Sequence, residues 1–171
     1  MIQFRDVAWH AMSGYDLAAV SEIAGKVHPG FFEADAVLAE KFELYRNGCY
    51  LLEVSEKPAG YVLSHPWTLG SLPALNALLG ALPEKPDTYY IHDLALLPLT
   101  RGLGAAGKMV AALTKHAEAM GYANMSLVAV NGSVPFWSKQ GFAIEDRPEL
   151  AEKLAAYEAD ARYMVKMLGS P

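Results

Sequence analysis

Cysteine is nearly absent from this chain: 171 residues contain one, Cys49. A single thiol cannot form an intrachain disulfide or a cysteine cluster for zinc, so neither scaffold is expected. Cys49 also lacks a nucleophile signature and reads as apolar filler. Positive charge is not in excess. Fourteen Lys and Arg face nineteen Asp and Glu, a net charge of −5 with no basic cluster. Nucleic acid is therefore not an expected partner, because binding its backbone depends on neutralising phosphates. No apolar run reaches the roughly 18 residues that cross a bilayer. The start, Met1-Ile2-Gln3-Phe4-Arg5-Asp6, lacks the charged-then-apolar layout of a signal peptide. The expectation is a cytoplasmic protein without a membrane role. Repeats, low-complexity tracts and interdomain linkers are missing too. The length fits one domain, 1–171, large enough to bury a core.

Glycine, by contrast, is concentrated where it matters. Arg101-Gly102-Leu103-Gly104-Ala105-Ala106-Gly107-Lys108 follows an apolar run at 89–97 and opens a helical pattern at 103–120. Small residues let a ligand approach the backbone, and the free N–H groups and positive dipole end of a new helix favour an anion. Three templates compete for these residues. Gly102-x-Gly104-x-x-Gly107 fits the dinucleotide fingerprint, but no acidic residue stands about twenty positions on, where 127–130 reads Leu-Val-Ala-Val. Gly102-x4-Gly107-Lys108 falls one residue short of a P-loop, since Met109 replaces the Ser or Thr that would meet magnesium. The third template, Arg/Gln-x-x-Gly-x-Gly/Ala, is met by Arg101, Gly104 and Ala106.

With that third pattern the chain resembles the GNAT superfamily of acyltransferases, whose archetype moves an acetyl group from acetyl-CoA to an amine. Two further segments carry the likeness in the expected order. Asp93-Leu94-Ala95-Leu96-Leu97-Pro98 is similar to the family's fourth strand and its terminal proline. Asn131-Gly132-Ser133-Val134-Pro135-Phe136-Trp137-Ser138-Lys139-Gln140-Gly141-Phe142 is similar to the exit from its fifth strand, a short helix and a closing Gly-Phe. The resemblance is strong over 89–142 and diffuse elsewhere. It implies an α/β fold with a mixed, mostly antiparallel sheet splayed at strands 4 and 5 and helices on both faces.

The rest of the chain fits that outline. A strand is expected at 2–9 and helices at 14–27 and 33–46, from apolar residues at helical spacing. Strands at 50–54 and 59–65 form a hairpin through Ser55-Glu56-Lys57-Pro58. An excursion from 66 to 86, with an apolar centre at 75–82, is expected to be a short packed helix that serves as a structural contact, a dimer surface or a substrate-side wall. The helix at 103–120 carries a stripe of Leu103, Ala106, Val110, Leu113, Ala117 and Met120. A strand at 125–130, covered on both faces, follows. A helical run at 149–160 and a last strand at 163–168 complete the pattern.

The resemblance also implies a site. Leu94, Ala95 and Leu96 would offer main-chain hydrogen bonds to the pantetheine arm. The pyrophosphate would rest on the turn formed by Gly102, Leu103, Gly104, Ala105, Ala106 and Gly107, with Arg101 at its mouth and Asn131 nearby. A base must take the amine proton, and His92 and Asp93 are the nearest polar pair. Adjacent strand residues face opposite ways, so only one would look into the cleft unless a bulge intervenes. Histidine's ordinary pKa, about 6.5, favours His92. A main-chain amide near Leu96 would meet the oxyanion. Trp137 stands where the family commonly has a tyrosine, and an indole has no acidic hydroxyl to protonate the departing sulfur. Ser138, Tyr163 or solvent are the substitutes. Phe31, Phe32, His65 and Trp67 are candidates for an aromatic acceptor pocket. The expected partners are a small-molecule or peptide amine and acetyl-CoA as co-substrate, without metal, and a homodimer is open. A non-catalytic acyl-CoA-binding module and a nucleotide-binding module are the alternatives.

Overall fold

The computed structural model describes residues 6–169. Seven strands are present: β1 (Val7–Ala11), β2 (Cys49–Val54), β3 (Lys57–Trp67), β4 (Thr88–Leu96), β5 (Asn124–Ala129), β6 (Ala143–Ile144) and β7 (Arg162–Met167). They form one sheet in the order β1-β2-β3-β4-β5-β7-β6. Every neighbouring pair is antiparallel except β4 and β5. Part of the strand expected at 2–9 lies outside the described residues; β6, two residues long, gave no periodic signal.

Five α-helices flank the sheet: α1 (Leu17–Val27), α2 (Asp35–Leu44), α3 (Ala105–Ala119), α4 (Val134–Lys139) and α5 (Ala151–Tyr157). α1 and α2 bury Val20, Ile23, Leu38 and Phe42 against Leu51, Tyr61, Leu63 and Ala95 on one face. On the other face α3 and α4 bury Met109, Val110, Leu113, Ala117 and Trp137 against Val62, Tyr89, Ile91 and Leu127. Side chains alternate across a strand, so β3 serves both cores. The buried stripe of α3 runs through Ala105, Met109, Val110, Leu113 and Ala117. It shares Val110, Leu113 and Ala117 with the expected one; Ala105 and Met109 are buried where Ala106 was expected, Ala106 being half-buried, Leu103 belongs to the preceding turn, and Met120 is exposed beyond the last turn.

The excursion between β3 and β4 contains no helix. Gly70, Asn76 and Gly80 all have positive φ, which breaks any right-handed run, and prolines at 73 and 83 remove helix donors. Instead the segment is an irregular strap of bends held by side chains from elsewhere in the chain.

Candidate active site

β4 and β5 pair at only two positions, Tyr89 with Met125 and Tyr90 with Ser126. Beyond them the two strands part. β4 keeps its ladder to β3 through Leu96, while the edge facing β5 is left without one. The wedge is a cleft of about 290 Å³ lined by Leu94 and Leu96 from β4, Leu127 and Val128 from β5, and Val130 and Asn131 just past β5.

A bulge then decides which groups face it. In the β3–β4 ladder Leu63 pairs with Asp93 and Ser64 with Ile91, so His92 is the extra residue. A bulge interrupts alternation, and here both His92 and Asp93 line the cleft and meet side chains from the segment between α1 and α2. Asp93 Oδ1 accepts a hydrogen bond from His28 Nε2 at 2.8 Å, and Tyr61 donates its hydroxyl to Oδ2. Burial pushes the Asp93 carboxyl up, but the hydrogen bond and charge of His28, with Tyr61, outweigh it and hold the group below its ordinary range. The Asn131 side-chain amide meets His28 Nδ1 at 3.1 Å, linking the end of β5 to the same network.

His92 belongs to a second set. Its Nε2 lies 3.4 Å from Glu33 Oε1, and its buried Nδ1 has no protein partner among the described residues. Glu33 Oε2 lies 3.8 Å from Nζ of the buried Lys41. Burial raises the Glu33 carboxyl, yet the hydrogen bond and charge of His92 and the charge of Lys41 prevail, so it is held low and ionised. Burial in turn lowers the Lys41 ammonium, only partly offset by Glu33 and Glu40.

The His28–Asp93 pair makes a stability prediction. Burial alone would lower His28; its hydrogen bond and attraction to Asp93 raise it above its ordinary 6.5. A histidine whose folded pKa lies above the unfolded value contributes fully below about pH 6.5 and loses that contribution as pH rises through the folded value. The melting temperature should therefore fall on the alkaline side of pH 6.5 more steeply in the wild type than in His28→Gln. Parallel curves for the two proteins would remove this pair as the cause.

At its outer end the cleft meets a second crevice, lined by Leu97, Arg101, Gly102, Gly104, Ala105, Ala106 and Gly107, with Lys26 from α1. The two share Val27, Leu96, Ala106 and Phe136. Gly104 caps α3 in a left-handed conformation, φ 71°. The first helical bond runs from Lys108 N–H to Gly104 O at 3.2 Å, which leaves the N–H groups of Ala105, Ala106 and Gly107 outside the helix ladder. Those donors, the helix dipole, Arg101 and Lys26 make this crevice suited to an anion.

Most of the expected site residues thus converge. His92, Asp93, Leu94, Leu96, Asn131 and Phe31 line the cleft, and Arg101, Gly102, Gly104, Ala105, Ala106 and Gly107 line the crevice. The Ala95 side chain is buried in the α1/α2 core, and Leu103 lies on the turn without lining either space. Three of the pocket aromatics lie off the cleft. Phe32 is 71 % exposed. His65 is 1 % exposed, packed behind His92 with ring centroids 5.8 Å apart. Burial and the neighbouring His92 push it down to about 3, a neutral core imidazole. Trp67 donates Nε1 to Ser71 O at 3.0 Å and anchors the strap instead. Of the substitute proton donors, the Tyr163 hydroxyl accepts the Gly70 N–H at 2.9 Å away from the cleft, and Ser138 does not line it. Trp137 does line it, packed on Phe136 and Phe142. Sequence reasoning missed His28, Glu33, Leu75 and Tyr157, all in the lining. His28 and Glu33 read only as a helix stop and a helix start.

Among the described residues no group of three or more His, Cys, Asp or Glu could hold a metal ion, and no helix is long and apolar enough to cross a membrane.

The same architecture occurs in solved structures. The loading GNATL domain of CurA from Lyngbya majuscula superposes with a TM-score of 0.74 at 12% identity, covering 95% of this chain and 98% of that one. Ard1 from Thermoplasma volcanium gives 0.72 at 13% identity, covering 96% and 99%. Arabidopsis thaliana Naa50, solved with the bisubstrate analogue CoA-Ac-MVNAL, gives 0.67 at 15% identity, covering 94% and 97%. No curated protein matches the sequence. A family model does: that of the acetyltransferase (GNAT) family, over residues 17–142. That span holds the bulged strand, the wedge and the glycine turn, and the chain accordingly belongs to the GNAT acetyltransferase family and is an acyltransferase.

Proposed function

We propose that this protein transfers an acetyl group from acetyl-CoA to a primary amine by direct attack, with His92 as the base. The observation that carries this reading is the continuity of the β4–β5 wedge with the glycine-turn crevice. One end offers backbone donors and two cations for a pyrophosphate. The unpaired edge of Leu94, Ala95 and Leu96 offers main-chain groups to the amide-bearing arm. The other end holds acid–base groups.

His92 suits the base better than Asp93 because Asp93 is already committed. Both its oxygens accept hydrogen bonds, and its carboxyl is held ionised. His92 lines the cleft and meets Glu33 through Nε2, so the Glu33 carboxylate is placed to stabilise the imidazolium that forms when the ring takes the proton. The amine nitrogen bonds to the thioester carbon as its proton passes to His92, directly or through water. A β4 amide near Leu96 stabilises the oxyanion. The C–S bond then breaks, and CoA leaves as thiolate to take a proton from solvent, since the indole N–H of Trp137 is too weak an acid to supply one.

A ligand bound only by the native state raises the melting temperature. Acetyl-CoA at about 100 times its Kd should add about 2.7 kcal/mol, roughly 5–10 °C for a chain of this size. ATP and NAD at equal concentration should give much smaller shifts. No shift with acetyl-CoA beside a clear one with NAD would sink the reading.

A further inference from the structure

The strap 68–87 is tied to two residues that line the cleft, Tyr157 and Glu33. On the α5/β7 side the Tyr157 hydroxyl donates to Pro73 O at 2.6 Å, and Gly70 N–H donates to the Tyr163 hydroxyl. On the α2 side Asn76 accepts from Ala34 N–H at 2.7 Å, and its own N–H donates to Glu33 Oε2 at 3.2 Å. Glu40 then takes the N–H groups of Leu79 and Gly80 at 2.6 and 2.9 Å. Leu75 lies in sequence between the Pro73 and Asn76 anchors and lines the cleft together with Phe31 and Tyr157.

Resting on the acetyl-transfer reading above, we infer that the strap selects the acceptor: a short primary amine on an apolar skeleton, with no carboxylate beside the amine, in preference to a polypeptide N-terminus. Space is the first reason. The cleft of about 290 Å³ must hold both the thioester arm and the acceptor, and Leu75 of the strap takes up part of its lining. A peptide continues past its first residue and needs an open trench with free main-chain partners. Here the strap amides at Asn76, Leu79 and Gly80 are already taken. Charge is the second. Among the described residues no Lys or Arg lines the cleft; Lys41 faces Glu33 from beneath, and His28 is tied to Asp93. An acceptor carboxylate entering this apolar lining would lose water and gain no cation in exchange. Glu33 also joins the strap to the base, since one oxygen accepts from Asn76 and the other meets His92.

The test uses the full chain with acetyl-CoA and three acceptors: phenethylamine, phenylalanine, which is the same skeleton with a carboxylate, and an uncharged pentapeptide with a free N-terminus. Thiol release should give a kcat/KM for phenethylamine at least about 100-fold above either of the others. Leu75→Ala should narrow the amine-to-peptide ratio by about tenfold or more while keeping the acetyl-CoA thermal shift. Equal or better use of the peptide or the amino acid overturns the inference, as does an unchanged ratio in Leu75→Ala or acetyl-CoA binding with no acceptor used; all leave coenzyme binding standing. Absence of both the thermal shift and thiol release overturns the acetyl-transfer reading and the inference together.

Discussion

His92→Gln is expected to lower kcat by about two to four orders of magnitude, the usual worth of a positioned general base, with acetyl-CoA affinity changed little. Glutamine keeps the size and a donor for Glu33 but has no basic nitrogen. The contrast with Asp93 makes the experiment discriminating. Asp93→Asn should reduce stability as well as rate, because it strips the charge that His28 and Tyr61 are built around in a buried setting. His92→Gln should leave the melting temperature near that of the wild type while the rate collapses. Steady-state rates with a separate titration of acetyl-CoA decide the matter: wild-type turnover in His92→Gln would exclude it as the base, and a loss of coenzyme affinity equal to the loss of rate would make it a binding residue.

Gly104→Val is expected to weaken acetyl-CoA binding by about 100-fold or more. A β-branched residue at φ 71° carries about 1–3 kcal/mol of backbone strain. Relieving it would turn the first-turn amides of α3 away from the crevice. The open space on the glycine is the second factor, since a Cβ there would meet nothing within 4 Å and would project into room a phosphate needs. Gly104→Asn separates the two, because asparagine tolerates the left-handed conformation. It should fold with less strain and still bind more weakly than wild type. Calorimetric titration with acetyl-CoA checks both; wild-type affinity in Gly104→Val would remove the turn from coenzyme recognition.

The parts of this site that were legible in the sequence are the parts that are local. The glycine turn, the strand before it and Asn131 after the next strand are set by short-range spacing, and turn chemistry and apolar periodicity report such spacing directly. The acceptor side was not legible for the same reason in reverse. His28 meets Asp93 from 65 positions away and Glu33 meets His92 from 59. No period links residues that only tertiary packing brings together. The orientation of His92 and Asp93 depended on a bulge, which alternation cannot locate. The apolar centre of the strap suggests a helix, and the local sign against it is a weak one, Asn76, a poor helix former that here takes up a left-handed backbone. His65 and Trp67 stood at the right strand end but turned to core and strap.

The two-residue pairing of β4 with β5 has a mechanical consequence. Backbone hydrogen bonds stitch the halves of the sheet at one end only, and elsewhere they are held by side chains packed beneath α3, from Ile91 across to Leu127 and Ala129. A coenzyme arm laid along the free edge of β4 would act as a surrogate strand, fastening the seam where the polypeptide leaves it open. Loading and rigidity would then be one event, visible as slowed amide exchange along 91–96.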